Sequence, residues 1–263
     1  MNIVSTRLMG GLGNYMFQIA TAYSYSKKTN KNLIFNLSDV YVVHGSVESY
    51  RNNIFSNLIF DSLNQNSFGR KYNEPNFNFN EIPNFEGSVY LNGYFQSEKY
   101  FKDYRHEILD LFDFGNETKE FINQKYGDVL NDKTCSLHVR RGDYLRLPDH
   151  HPIQPLDYYT QAISELDNDT TFLIFSDDIE WCKTHFSFID KKFKFIEGNT
   201  DYQDLYLMSI CKNNIICNST FSWWGAWLNQ NVNKQVIIPS NWFGPKLKNH
   251  NTNDLYCDGW KKI

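Results

Sequence analysis

Apolar and polar residues alternate from Asn2 to Met9, stop at Gly10-Gly11-Leu12-Gly13-Asn14, and give way to a helical period from Tyr15 to Lys27. Alternation predicts a strand, and apolar residues at i, i+3 and i+4 predict a helix. A second strand is expected at Asn32 to Asn36. Strand, glycine turn, helix and strand form the opening of a parallel α/β layer. From Asp39 to Pro83 the period fails among Asn, Ser and Phe, and only short helices and loops are expected. The pattern returns as a strand at Ser88–Phe95 and a helix from Glu98 to Phe112.

The second half is better patterned. Apolar strands are predicted at Thr134–Val139, Thr171–Phe175, Lys194–Ile196, Asn214–Cys217 and Gln235–Ile238. Helices are predicted between them at Leu156–Leu166, Ile179–His185, Asp204–Cys211 and Trp223–Asn229. Short apolar runs alternating with helices describe a doubly wound parallel sheet. Ligands of such sheets bind beyond the carboxyl ends of the strands. The residues that follow each strand are therefore the ones to test for chemistry: Arg140 to Asp143, Ser176 to Asp178, Glu197 to Asn199 and Asn218 to Ser222. A charged stretch, Gly115–Asp132, precedes the second sheet, and it divides the chain into domains 1–125 and 126–263.

Composition narrows the function. With 41% hydrophobic residues the chain can bury a core, and its net charge of −4 without a basic run excludes a typical nucleic-acid binder. The 17 Tyr, 21 Phe and 6 Trp suit sugar or base stacking, but most are expected in the core. The cysteines, Cys135, Cys182, Cys211, Cys217 and Cys257, are scattered and odd in number, as in buried reduced thiols. No signal peptide and no membrane span is legible, so a soluble cytoplasmic protein is expected, at most peripheral at a membrane.

His138 and Arg140 share one face at the end of a strand, aimed at the ligand edge. The planar Arg140 fork matches phosphate oxygens; Gly142 lets the chain turn, and Asp143 either fixes an Arg or caps the loop. Ser219, Thr220, Phe221 and Ser222 open a helix, where hydroxyls cap and backbone N–H groups receive anions. Gly10, Gly11, Gly13 and Asn14 allow close backbone approach, although neither dinucleotide nor Walker A spacing is present. Asp204 stands at a helix start, where it either stabilises the terminus or accepts the paired donors of guanine. Asp167-Asn168-Asp169 precedes a strand and reads as a turn, and no metal site is expected.

His138-Val139-Arg140-Arg141-Gly142-Asp143-Tyr144 resembles the HxRRGDY motif of the α-1,2-fucosyltransferases, glycosyltransferase family 11. The resemblance continues, in the family's order, through Gly10 to Gln18, Gly93 to Phe101 and Asn218 to Trp227. It implies a GT-B-like α/β fold, two Rossmann-like domains facing across a donor/acceptor cleft. The first would lie on the acceptor side and the second would bind the GDP-sugar. It also implies GDP-fucose as donor, a galactose-containing glycan as acceptor, and inversion without a metal or other cofactor. Arg140 would contact the β-phosphate, His138 and Asp204 the guanosine end, and Ser219 to Ser222 the phosphates. Gly10 to Asn14 would approach the pyrophosphate or the sugar. For the general base, Asp143 and Asp149 follow the motif, with His151 behind them, while Asp143 equally suits an ion pair with Arg141. Tyr15 stands where family members often carry Gln, and its effect depends on whether that side chain touches substrate. A GDP-sugar transferase of another linkage and a non-catalytic GDP-sugar-binding module remain the alternatives.

Overall fold

The computed structural model describes residues 2–36, 40–42, 45–63 and 68–263. Its contacts divide it into two units, Met1–Asp113 with His250–Cys257 and Phe114–Asn249 with Asp258–Ile263.

In the first unit the expected strand over 2–9 is two strands, β1 (Ile3–Thr6) and β2 (Leu8–Gly10). The break falls at Arg7, whose N–H bonds the Leu91 carbonyl at 2.9 Å. Helix α1 (Leu12–Thr29) follows, starting inside the glycine segment, so Gly13 and Asn14 lie in its first turn. It ends at Asn30 in the left-handed region, a conformation that a short polar side chain tolerates. Then come β3 (Asn32–Leu33), β4 (Phe35–Asn36), β5 (Val40–Val42), α2 (Val47–Tyr50), β6 (Phe60–Asp61), β7 (Arg70–Asn73) and β8 (Val89–Asn92). Strands β3, β1, β8 and β7 form a parallel sheet in that order, while β2 pairs with β5 and β4 with β6.

The helix expected over 98–112 is broken. Two 3-10 turns flank the fully buried Phe101, whose φ of −144° and ψ of −2° are not helical, and α3 (Arg105–Leu111) forms only afterwards. Phe101 turns inward and packs against Phe17, with ring centroids 6.0 Å apart.

The second unit begins with α4 (Gly115–Tyr126), β9 (Thr134–Val139), α5 (Leu156–Ser164), β10 (Thr171–Ser176) and α6 (Ile179–Phe186). It continues through β11 (Lys192–Phe195), α7 (Asp201–Ile210), β12 (Asn213–Ile215), α8 (Thr220–Leu228), β13 (Val236–Ile238) and β14 (Lys261–Lys262). The sheet is wholly parallel in the order β11-β10-β9-β12-β13-β14. The chain thus builds outward from β9 in one direction, returns, and builds outward in the other. The order reverses between β9 and β12, which is where doubly wound sheets open a crevice.

Side chains alternate across this sheet. Cys135, Leu137 and Val139 of β9 pack with Tyr158, Tyr159 and Ile163 of α5 and Phe186 of α6. Leu173 and Phe175 of β10 point the other way, into Ile122 and Tyr126 of α4 and Leu207 and Met208 of α7. That packing corrects the expected boundary between residues 125 and 126, because α4 belongs wholly to the second unit. The return of 250–257 to the first unit was also not expected. There Asp254 accepts the Phe79 N–H at 2.9 Å and pairs with Lys99 at 2.5 Å.

Helix α8 begins one turn before the expected Trp223, and its Trp223, Trp224 and Trp227 are all buried. Helices α7 and α8 meet at Gly225, where an added Cβ would stand 2.8 Å from the Met208 Cβ. A larger side chain must push the helices apart. Gly225→Val is expected to destabilise the second unit by about 1–3 kcal/mol, read as a lower thermal midpoint by calorimetry. An unchanged midpoint would contradict this packing.

Candidate active site

Strand β9 is buried along its whole length and delivers Arg140 at its carboxyl end. The guanidinium is half-buried between two carboxylates, with Nη2 2.7 Å from Asp143 Oδ1 and Nε 3.2 Å from Asp177 Oδ2. Burial works against the charge, but Asp177, Asp143 and the Tyr144 hydroxyl outweigh it, and the Arg140 pKa is raised. Arg140 is therefore fixed in charge and direction before any ligand arrives.

The neighbouring Arg141 is anchored separately. Its Nε meets Asp178 Oδ2 at 2.9 Å and its guanidinium lies over the Trp181 ring, 4.1 Å from the centroid. Its backbone N–H donates to Asp177 Oδ1 at 2.9 Å. The partner expected for Asp143 was Arg141, and the structure instead gives it Arg140. Gly142 has a steric reason: a Cβ there would stand 2.5 Å from Asp177 Oδ2. Asp177 and Asp178 follow β10 directly. Their place at a strand end was legible, whereas their pairing with β9 arginines was not.

Tyr144 joins two segments far apart in sequence. Its hydroxyl donates to the Asn218 carbonyl at 2.9 Å, and the Arg140 guanidinium lies over its ring, 5.7 Å from the centroid. The loop after β9 is thus tied to the loop after β12 at the point where the strand order reverses. Asn218 is buried and donates to the Pro152 and Trp242 carbonyls at 2.9 and 3.1 Å, which fixes the entry into α8. Ser219 is the N-cap but makes no side-chain cap bond. Helical hydrogen bonding begins with Trp223 N–H to Ser219 O at 3.0 Å, so the Thr220, Phe221 and Ser222 amides lie ahead of the ladder.

His138 lies beneath this surface. Its Nδ1 is 3.2 Å from the Cys217 thiol and its ring stands edge-on to Phe221. Burial, with Arg140 adding to it, lowers its pKa to about 3, so the imidazole is neutral. His151 stacks on Tyr144 with ring centroids 5.0 Å apart, and burial lowers its pKa as well. Asp149 is exposed and its carboxylate pairs with Lys246 at 3.3 Å.

Asp204 occupies another part of the second unit, in the first turn of α7. It accepts from Asn199 Nδ2 at 2.8 Å, while Asn199 Oδ1 accepts from Lys125 at 2.7 Å and the Tyr126 hydroxyl at 3.1 Å. Burial pushes its carboxyl up to about 7 despite the Asn199 hydrogen bond. Among the described residues no group of three or more His, Cys, Asp or Glu side chains is placed to hold a metal ion. In the Asp167–Asp169 turn, Asp169 pairs with Lys133 and Asn168 accepts from Lys191 at 2.6 Å.

The remaining predicted residues, Gly10, Gly11, Gly13 and Asn14, belong to the first unit. Gly10 has φ +96°, and a Cβ there would overlap Asn14. Asn14 accepts from Gln96 at 2.9 Å, and Gln18 grips Met9 through both its N–H and its carbonyl. Tyr15 is fully buried, with its hydroxyl donating to the Gly45 carbonyl at 3.2 Å, so this departure from the family pattern serves packing. One residue the sequence did not single out is Glu74, just beyond β7. Its carboxylate accepts the Tyr94 N–H at 2.7 Å and the Phe95 N–H at 3.0 Å. Phe95 is buried with φ +52°, which costs a non-glycine residue about 1–3 kcal/mol.

The Asp204 shift fixes the sign of a pH effect. The folded chain holds this proton up to about pH 7, whereas an unfolded aspartate releases it near 4. Stability contributed at Asp204 is therefore full below about pH 4, declines as pH rises, and is lost above about 7. Glu74, pushed up to about 7 by burial, acts in the same direction. Asp204→Asn is expected to flatten part of the fall in thermal midpoint across that window; an unaltered slope would refute it.

Residues 2–263 match the profile of glycosyl transferase family 11. The chain is 34% identical to an alpha-1,2-colitosyltransferase of Escherichia coli over 100% of its own length and 99% of the relative's. It is 32% identical to the O-antigen biosynthesis glycosyltransferase WbnK of Escherichia coli, over 96% and 98%. The crystal structure of NodZ alpha-1,6-fucosyltransferase soaked with GDP-fucose shares its fold, with TM-score 0.52 at 13% identity over 86% of this chain and 92% of that one. With its parallel α/β units and motif-bearing strand edges, the chain belongs to glycosyltransferase family 11 and is a glycosyltransferase of the GT-B fold.

Proposed function

We propose that this enzyme transfers fucose from GDP-fucose to the 2-hydroxyl of a galactose-type residue, with inversion and without a metal ion. The observation that carries the reading is Arg140, oriented by Asp143 and Asp177 at the strand-order reversal and tied through Tyr144 to the opening of α8.

In this reading the diphosphate lies against Arg140 and the first-turn amides of α8. As the bond between the sugar's anomeric carbon and the phosphate oxygen breaks, negative charge grows on GDP and the sugar takes on oxocarbenium character. A preoriented guanidinium meets that charge without reorganising, the role a divalent cation has in other transferases. Asp143 orients Arg140. Asp149, the exposed carboxylate of the same loop, takes the proton from the acceptor hydroxyl as its oxygen bonds to the opposite face of the anomeric carbon. Asp204 receives the guanine N1–H and N2–H₂ donors, which favour its ionised form. His138, neutral and buried, backs the donor site. Gly10 to Asn14 of the first unit approach the pyrophosphate or the sugar. The five cysteines are buried and none is in a disulfide, which suits a reducing compartment, and the reading places the enzyme in the cytoplasm.

A second donor is favoured by the similarity to an alpha-1,2-colitosyltransferase. Colitose is the 3-deoxy counterpart of fucose, and the phosphate and guanine contacts above serve either sugar.

The test is transfer from GDP-fucose, GDP-colitose, GDP-mannose and UDP-galactose to galactose-terminated acceptors with EDTA present, with linkage and anomeric configuration read by NMR. The expected result is α-1,2 transfer of fucose unaffected by EDTA. Preference for GDP-colitose would move the donor assignment, and strict metal dependence or transfer from UDP-galactose would overturn it. In the same assay Arg140→Ala is expected to lower turnover by about 10²–10³ with the fold intact. Asp149→Asn should lower turnover by on the order of 10² or more. Asp204→Asn should instead raise the donor KM while turnover holds. Near-normal turnover of Arg140→Ala would remove the central residue of the reading.

A further inference from the structure

Three features converge at the carboxyl edge of the first unit's sheet. Arg7 follows β1, Glu74 follows β7, and Gly93 to Phe95 follow β8; β1, β8 and β7 are adjacent parallel strands. Tyr41 enters from β5, where it pairs with Met9 two residues beyond Arg7. Tyr94 and Tyr41 are 40% and 58% exposed, against an aromatic complement that is otherwise mostly buried. Burial raises the Tyr94 phenol pKa, Tyr41 adds to the rise and Arg7 opposes it, as expected for three groups within electrostatic reach of one another.

The backbone here is held against its preference. Glu74 binds the Tyr94 and Phe95 N–H groups, and Phe95 keeps a positive φ. A Cβ at Gly93 would stand 2.7 Å from Glu74 Oε2, so only glycine lets the carboxylate close in. The next residue, Gln96, donates to Asn14 at the glycine turn. One carboxylate thus holds the Tyr94 backbone, and Gln96 sets the register of this loop against the start of α1. Strain of this kind collects where a side chain must be presented. An exposed phenol ring on a held backbone, within electrostatic reach of a second exposed ring and a guanidinium, matches a pyranose, which has an apolar C–H face and a hydroxyl rim.

We propose that this edge is the acceptor subsite, with Tyr94 and Tyr41 as the faces on which a galactose-type ring stacks and Glu74 as the positioning residue that fixes the Tyr94 backbone. The assignment rests on the reading of the protein as a transferase to galactose-type acceptors. It adds the acceptor-binding residues that the family motifs left unassigned.

The test separates sugar binding from transfer. Methyl β-galactoside, lactose and N-acetyllactosamine are titrated by saturation-transfer NMR into the full chain without donor, for wild type, Tyr94→Ala, Tyr94→Phe, Tyr41→Ala and Glu74→Gln. At least one sugar should bind wild type, and Tyr94→Ala should weaken it about tenfold with an unchanged thermal midpoint, whereas Tyr94→Phe should retain binding. Under transfer conditions Glu74→Gln should raise the acceptor KM about tenfold while turnover at saturation and donor KM stay within about twofold. A merely structural Glu74 would instead lower the active fraction and leave both KM values alone. Wild type binding none of the three sugars, or Tyr94→Ala binding as wild type does, would overturn the subsite. Sugar binding without transfer from any GDP-sugar would leave the subsite standing and sink the proposed reaction instead.

Discussion

The second unit is organised around keeping one guanidinium charged, half-buried and still. Arg140 stands where β9 leaves the sheet, and an unpaired charge there would be costly. Two carboxylates remove that cost, and each constrains the chain around it. Asp177 can reach Arg140 only because Gly142 has no side chain, and its second oxygen holds the Arg141 N–H. Asp143 reaches back from the turn after the strand, and that turn puts Tyr144 beneath the guanidinium and its hydroxyl on Asn218. The Arg-Arg-Gly-Asp-Tyr run is therefore bound together as one unit of geometry.

The first unit solves a related problem with the opposite sign. Glu74 is a carboxylate at the end of a parallel strand, and its partners are backbone N–H groups rather than an arginine. A glycine again admits the charge, Gly93 here and Gly142 there. In each case the Gly is explained by what must approach it and not by the turn it makes. Neither Gly93 nor Gly142 carries a positive φ.

Much of this was legible in the chain. Strand β9 was predicted to the residue because it is buried on both faces and bounded by polar loops. The loops after the strands followed from the alternation of strands and helices, and so did the place of Arg140 at the end of β9. What escaped depended on contacts between distant segments. Nothing local tells that Asp143 takes Arg140 and Arg141 takes Asp178, since the choice depends on the β9–β10 register. Glu74 lies in a region whose strands have only two to four residues, too short for a period to show. Strand β14 is two exposed lysines held by backbone pairing, which no hydrophobic pattern can announce. The split at Arg7 and the inward Phe101 are likewise decisions of tertiary packing over local preference.

The charge balance at the Arg140 cluster bears on how an anion could be held there. Two arginines face three aspartates, Asp143, Asp177 and Asp178, so the side chains leave a net negative charge. The whole chain is negative as well, at −4. Long-range attraction therefore contributes little to capturing a diphosphate, and direction must do what net charge does not. A fork held at fixed angle and helix amides pointing outward act only at hydrogen-bond range, and at that range the growing charge of a leaving group gains more than the ground state does. On the proposed reading such a site gains little from phosphate alone and calls for a second handle. Asp204 meets that need on the proposed reading, because guanine presents adjacent N–H donors that a carboxylate can take together, which uracil does not. On that reading, selection for a guanosine donor follows from the same constraint that fixes Arg140.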